Sequence, residues 1–187
     1  LCLLDMLEKP LSPLIKQIFY GTIILETVSP SERSERIEDT SATIMFGDSG
    51  TLEEALTTHQ KWSTLEGFED SKGKVHHLAT TRTMFWETPK ILMLSFRMYG
   101  RKDPMEVPEF LNLKKWIHPK APRGQLTEYE LFASSTHHGS PHGGHYVALT
   151  KHKGQWYLKN DGLCMKTEFP KKGYHYFVLY KRLNSCH

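Results

Sequence analysis

The sequence predicts an α+β domain dominated by antiparallel strands. Three observations carry this. A helical apolar pattern stands at the start, a second short helix is signalled near residue 52, and the last third alternates strand-like runs with Gly-containing turns. At 187 residues the chain is one domain's worth and long enough to bury a core.

Taken in order, Leu3, Leu4 and Leu7 share one face of a helix over Leu3-Leu4-Asp5-Met6-Leu7-Glu8, and Pro10 and Pro13 are expected to stop it. No N-cap precedes that helix, so the chain reads as if it begins inside an element. Ile18, Phe19, Tyr20, Ile23, Ile24 and Val28 are β-branched, aromatic or both in pattern, which predicts a strand from Ile18 to Val28. Ser29 to Asp39 is charged and apolar-poor and reads as a solvated loop or hairpin tip. Ala42 to Phe46 is a short strand. Ser49-Gly50-Thr51 precedes a helix carrying Leu52, Ala55 and Leu56, with Glu53 and Glu54 complementing the dipole in its first turn. Trp62 to Lys74 reads as loop. Thr83 to Trp86 and Ile91 to Tyr99 are strands meeting at Pro89, the second apolar enough to be central and buried. Asp103 to Pro122 reads as connection, and strands follow at Tyr129 to Thr136, Tyr146 to Lys151, Gln155 to Lys159 and Tyr174 to Leu183.

Composition excludes several function classes. Hydrophobic residues make up 39% and charged residues 24%, so the chain is neither disordered nor fibrous. The net charge of +3 is too small to argue for nucleic acid or an anionic membrane, and no apolar run reaches the roughly 20 residues that span a bilayer. Leu1-Cys2-Leu3-Leu4 is too short to be a signal peptide. Cys2, Cys164 and Cys186 stand far apart, which argues against a disulfide framework and a Cys-built zinc site and places the chain in a reducing, intracellular compartment, cytoplasmic and/or nuclear.

The segment richest in chemistry is His137-His138-Gly139-Ser140-Pro141-His142-Gly143-Gly144-His145-Tyr146-Val147-Ala148-Leu149. A Gly/Pro loop there delivers His145 to the start of an apolar strand, fixing the imidazole on a rigid element beside a backbone-rich loop. A turn near Lys153-Gly154 would bring Asn160 back beside His145. A polar side chain at that point accepts one imidazole N–H and leaves the other nitrogen free as a general base. The plain reading of such a histidine is a half-exposed strand residue, and Gly-rich turns are usually only turns. A metal site from His137, His138, His142 and His145 is disfavoured by their flexible setting and the want of a partner ligand pair. His76 and His77, adjacent on a strand, would point to opposite faces.

These residues resemble the histidine box of the ubiquitin-specific proteases: His137-x-Gly139-Ser140, then Gly144-His145-Tyr146-Val147-Ala148, then Gly154-Gln155-Trp156-Tyr157 and Asn160-Asp161. Further blocks are similar to the family's in order along the chain. Leu3 to Glu8 with Phe19-Tyr20-Gly21 resembles the helix and turn that open the family's fingers, and Thr51 to Leu56 resembles its Ser-Leu-Glu-Glu-Ala-Leu helix. Pro89 to Leu94 resembles a palm strand, Tyr129-Glu130-Leu131 the strand before the histidine loop, and Tyr176 to Arg182 the closing strand. The resemblance implies a papain-like cysteine peptidase fold with few helices: residues 17–88 as a fingers-like insert, 89–187 as the palm with the histidine box, and the N-terminal thumb missing, the whole of 1–187 being one partial catalytic domain. It implies His145 as general base, Asn160 as the residue that orients it, and Asp161 as an assisting acid. Ser140, Pro141, His142, Gly143 and Gly144 would form a mobile loop beside the cleft that receives ubiquitin's C-terminal tail, with Tyr146 packed beside the histidine and Trp156 filling core beneath.

Two departures shape the expectation. The family's nucleophilic cysteine lies in a box ahead of the first residue here. Cys2 reads as a small core residue, Cys164 as a strand or turn residue and Cys186 as terminal, so no attacking thiol is recognisable. The zinc-binding Cys-x-x-Cys pairs that many members carry are absent from Glu26 to Ser34 and Ser71 to Leu78, so no zinc and no other cofactor is expected. The resulting function is a portion of a deubiquitinating thiol protease, partnered by ubiquitin or ubiquitinated proteins and by the missing thumb segment. The alternative is a ubiquitin-binding pseudoenzyme or scaffold. A papain-like peptidase unrelated to ubiquitin would suit the His–Asn pair equally, but has no use for the insert between Phe19 and Pro89.

Overall fold

The computed structural model describes residues 12–40, 43–45, 50–96, 103–140 and 143–184. The helix expected over Leu3 to Glu8, Cys2, Cys186 and the segment from Arg97 to Tyr99 lie outside them. Pro13 sits in the first turn of a helix, α1 (residues 12–19), and the helix it was expected to stop lies outside the described residues. Proline is tolerated in a first turn because the N–H it lacks has no partner there. Ile18 and Phe19 belong to this helix and not to a strand. Leu14, Ile15, Ile18 and Phe19 recur at helical spacing, a stronger local signal than the β preference of any one of them.

The strands then run β1 (Gly21–Val28), β2 (Arg33–Thr40), β3 (Thr43–Met45) and β4 (Gly50–Thr51), followed by α2 (Leu52–His59). Thr51 caps α2 in a capping box with Glu54. Next come β5 (Ser63–Glu69), β6 (Val75–Glu87), β7 (Ile91–Phe96), β8 (Met105–Glu106), β9 (Phe110–Asn112) and a single 3-10 turn, Leu113–Trp116. The last third holds β10 (Glu128–Ser140), β11 (Gly143–His152), β12 (Gln155–Asn160), β13 (Leu163–Thr167), β14 (Lys172–Gly173) and β15 (His175–Arg182).

A four-stranded antiparallel sheet has the order β2-β1-β6-β5; an eight-stranded sheet has the order β13-β12-β11-β10-β15-β7-β3, with β9 also on β10. Only β3 on β7 and β4 on β8 are parallel pairs among the named strands. The first sheet corrects two expectations. Ser29 to Asp39 contains β2, and Trp62 to Lys74 contains β5. Both are edge strands, and their charges, read as solvated loop, guard an edge against stray pairing. β13 and the first half of the 13-residue β6 were equally unforeseen, since Leu163-Cys164-Met165-Lys166-Thr167 and Val75 to Arg82 carry no clean alternation.

Glu26 anchors the four-stranded sheet. Its carboxylate is fully buried, takes hydrogen bonds from Arg33 at 2.5 Å and from Arg82, and lies 3.7 Å from His118 Nε2. Burial pushes its carboxyl up, but the bonds from Arg82 and Arg33 outweigh burial and hold it below the usual carboxylate range. The core lies against the eight-stranded sheet: Leu52, Ala55 and Leu56 of α2, Leu92, Leu94 and Phe96 of β7, Leu111, Leu113 and Trp116, and Val178 and Tyr180 of β15.

Two core tyrosines satisfy their hydroxyls on backbone. Tyr129 donates to the Pro89 carbonyl and Tyr180 to the Pro108 carbonyl, each at 2.6 Å. Burial pushes the Tyr129 hydroxyl up to about 12 and raises that of Tyr180 as well. Their native contribution is therefore complete below the ordinary tyrosine value near 10 and is lost as pH climbs above it, because the unfolded chain sheds protons that the fold retains. Each tyrosine should lower unfolding free energy by roughly 1.4 kcal/mol per pH unit in that range. Denaturant midpoints followed upward from neutral pH should show this slope, and Tyr180→Phe should remove about half of it.

Candidate functional site

The site is built on the meander β10–β11–β12–β13. Lys153 (φ 48) and Gly154 (φ 80) make a two-residue turn between His152 and Gln155, the conformation that matches strand twist in a tight hairpin. From that turn the register pairs Lys151 with Trp156, Leu149 with Leu158 and Ala148 with Lys159. Side chains alternate across a strand, so His145, Leu149, Leu158 and Asn160 share one face. It is the face that buries Leu149 and Trp156. His145 and Asn160 thus continue the core stripe beyond the point where the core ends.

The structure brings them together. His145 Nε2 lies 2.6 Å from Asn160 Oδ1. A carboxamide oxygen only accepts, so Nε2 carries the proton and, in the neutral ring, Nδ1 keeps its lone pair. Asp161 begins the following turn at φ 48, which swings its carboxylate back to 4.0 Å from the same Nε2. With 47% of the His145 side chain and 83% of that of Asp161 exposed, this ion pair is worth roughly 0–1 kcal/mol, and Asn160 is the group that holds the ring.

The expected loop is largely strand. Ser140 ends β10 and Gly143 and Gly144 begin β11; Pro141 and His142 lie outside the described residues. The strands close up here because Gly139 and Gly144 face each other, and a Cβ on Gly144 would lie 2.6 Å from the His138 carbonyl oxygen. Tyr146 does not pack beside His145. As the next residue along the strand it points to the other face, where its ring meets His137 at 4.5 Å and Tyr176 at 5.6 Å between centroids. Conversely His138 stands directly opposite His145, which the run of histidines alone did not reveal.

Beneath the pair, Trp156 is 5% exposed and packs on Phe169, which stacks on His175. Ser134 Oγ and His175 Nδ1 are 2.7 Å apart in this buried layer. His175 is buried like Val178 and Tyr180 although strand parity sets it on the other face, because the pairing with β10 shifts by one residue between Ser135 and Thr136, which no local pattern in the sequence reveals. Nearby, Lys151 is held between Glu109 at 3.1 Å and Glu130 at 3.0 Å. Burial pulls its ammonium down, but the two carboxylates outweigh it and raise its affinity for the proton. Cys164 is exposed on β13 and, paired with Lys159, points to the face away from Asn160. Among the described residues no three His, Cys, Asp or Glu are placed to hold a metal ion.

A model of the family "Ubiquitin carboxyl-terminal hydrolase" matches residues 2–180. Ubiquitin carboxyl-terminal hydrolase 4 of Rattus norvegicus is 30% identical over 127 residues, which are 60% of this chain and 13% of that protein. Ubiquitin carboxyl-terminal hydrolase 13 of Danio rerio is 44% identical over 59 residues, 31% of this chain and 7% of that protein. Among solved structures, the SAGA Ubp8/Sgf11/Sus1/Sgf73 DUB module bound to ubiquitin aldehyde superposes with a TM-score of 0.76 at 20% identity, over 91% of this chain and 43% of that one. The chain therefore spans a small part of the curated relatives and less than half of the structural neighbour, and the latter likeness is one of fold.

Two predictions follow from the geometry. Nitrogen-15 shifts of the neutral His145 ring should report the Nε2–H tautomer alone, and Asn160→Ala should yield a mixture of both tautomers. Gly144→Ala should destabilise the fold by roughly 1–3 kcal/mol through the forced contact, whereas Gly143→Ala, whose added Cβ meets nothing within 4 Å, should leave the melting temperature unchanged.

Proposed function

The chain belongs to the ubiquitin carboxyl-terminal hydrolase family and has the α+β fold of its ubiquitin-specific proteases, and from that premise we propose that it is the base-bearing portion of a deubiquitinating thiol protease. The observation that carries the proposal is the 2.6 Å bond from His145 Nε2 to Asn160 Oδ1, which leaves Nδ1 free to take a proton. The attacking thiol comes from a part of the protein outside this chain. His145 Nδ1 removes its proton, and the thiolate sulfur attacks the carbonyl carbon of ubiquitin's C-terminal glycine. The bond to the leaving amine breaks as the imidazolium returns the proton to it, giving a thioester. Water, deprotonated by the same nitrogen, then attacks the thioester carbonyl carbon, the C–S bond breaks, and the thiolate leaves as the ubiquitin carboxylate is released. Asn160 keeps the ring in one tautomer and orientation throughout, and Asp161 adds a weak, exposed stabilisation of the imidazolium.

In this reading residues 17–88 are the fingers and 89–187 the palm, the hairpin over Ser140 to Gly144 flanks the cleft for ubiquitin's tail, and Tyr146 supports that hairpin from behind. No described helix is long and apolar enough to cross a membrane. A second reading, a ubiquitin-binding scaffold without turnover, is favoured by one observation: the Cys164 thiol, the free one among the described residues, faces away from Asn160.

Ubiquitin with a thiol-reactive group at its C-terminus separates the two. The full-length protein should form an adduct at a cysteine outside this chain, and His145→Ala should slow turnover by roughly 10²–10⁴-fold, the usual worth of a positioned general base. Binding without an adduct would establish the scaffold instead. An adduct at Cys164 would place the nucleophile where the present reading does not.

A further inference from the structure

One edge of the eight-stranded sheet is open. β13 ends the strand order beside β12, and no further strand joins it among the described residues. The two-residue turn Asp161-Gly162 makes Asn160 and Leu163 the closing bonded pair of the β12–β13 hairpin. Bonded and non-bonded pairs alternate along an antiparallel ladder, so the backbone N–H and C=O groups of Cys164 and Lys166 point outward from the sheet. Among the described residues no turn, loop or side chain takes them up.

The two faces of this edge differ. On the face of His145 and Asn160, Leu163 is 60% and Met165 51% exposed. On the other face stand Cys164, Lys166 and, opposite Cys164, Lys159, all three exposed. Neither lysine is ion-paired among the described residues, and the adjoining acids, Asp161 and Glu168, lie at the two ends of the strand. An edge guarded against pairing carries charge along its length, as β2 does with Arg33, Glu35, Arg36, Glu38 and Asp39. β13 instead bares its apolar side chains on one face, the form of an edge that accepts a strand. A second copy of the chain is a poor occupant. Pairing β13 with itself would set the lysines of both copies on one face of a continuous sheet, where like charges destabilise. Charge complementarity selects an acidic strand. Strand parity then sets its pattern: acidic side chains on the face of Lys159 and Lys166, alternating with apolar ones on the face of Leu163 and Met165.

We propose that the β13 edge is a docking site for an extended segment of a partner protein in which acidic and apolar residues alternate, the segment adding to the sheet as a strand beside Cys164 and Lys166. Main-chain bonds to the open edge supply affinity, and the two unlike faces supply the choice of sequence. Such a site requires only the fold, whether or not the chain serves in a protease.

The test mixes the full-length protein with short capped peptides that alternate glutamate with valine, lysine with valine, or glutamate with serine. Fluorescence anisotropy reads the affinity, and amide hydrogen exchange locates the contact. The glutamate–valine peptide should bind and slow exchange across residues 163–167, and the other two should bind about tenfold more weakly. Lys159→Glu together with Lys166→Glu should weaken the glutamate–valine peptide about tenfold and pass the preference to the lysine–valine peptide, an exchange that misfolding cannot produce. Absence of binding, binding with no protection in β13, or equal affinity for the glutamate–valine and lysine–valine peptides overturns the proposal. So does slow exchange across residues 163–167 before any peptide is added, which would show the edge already covered by another part of the protein. A wild-type dimer whose protected residues map to β13 overturns it too, since a second copy would then be the occupant.

Discussion

The pairing register of β10, β11 and β12 is the constraint on which the site depends. A strand has two faces, and a slip of one residue exchanges them. Here the register is pinned by Leu149 opposite Leu158 and by Trp156 under the sheet, buried contacts that a slip would turn out into solvent. Given that register, His145 and Asn160 share a face and meet without any adjustment of backbone. The polar pair inherits its precision from the apolar pairs behind it, and the burial of Leu149 and Trp156 is as much a part of the site as the imidazole.

The sheets are joined by a short connection. β6 passes into β7 through Thr88 and Pro89, and this junction is heavily bonded. Thr88 donates its hydroxyl to the Leu126 carbonyl, Gln125 accepts from the Thr88 amide and donates to the Trp86 carbonyl, and Arg182 donates to the Thr88 carbonyl. Gly21 sits against it with no room for a side chain, since an added Cβ would approach Pro89 Cδ to 2.8 Å. A junction bonded in this way transmits the orientation of one sheet to the other.

The strands that could be read from sequence were those with apolar residues to mark a buried face: β1, β7, β10, β11, β12 and β15. The turn at Lys153-Gly154 and the start of α2 after Thr51 were legible because their chemistry is local. β2 and β5 were hidden for the opposite reason. An edge strand in a partly exposed sheet needs charge on it, and charge is also the mark of a loop. The His145–Asn160 pair was legible because hairpin arithmetic brings residue 160 back opposite residue 147, on the face of His145 and diagonal to it. The contact of Ser31 with Asp70 and His76 was not, because it joins two turns nearly forty residues apart in sequence through a sheet order that no local pattern specifies. Tyr146 was misplaced by attending to its neighbour and not to strand parity.

The meander that bears the site is continuous in sequence, while the sheet around it closes through distant partners: Leu94 on β7 pairs with Val178 on β15. Loop-closure entropy is small for the first and large for the second. In folding from the unfolded chain, the hairpins carrying His145 and Asn160 are the inexpensive early contacts, and the β7–β15 seam is the slow step. A chain emerging from the ribosome would pair His145 with Asn160 before β15 emerges to complete the sheet. During that interval β10 would present an unpaired edge, where chaperones or misassembly would compete for it.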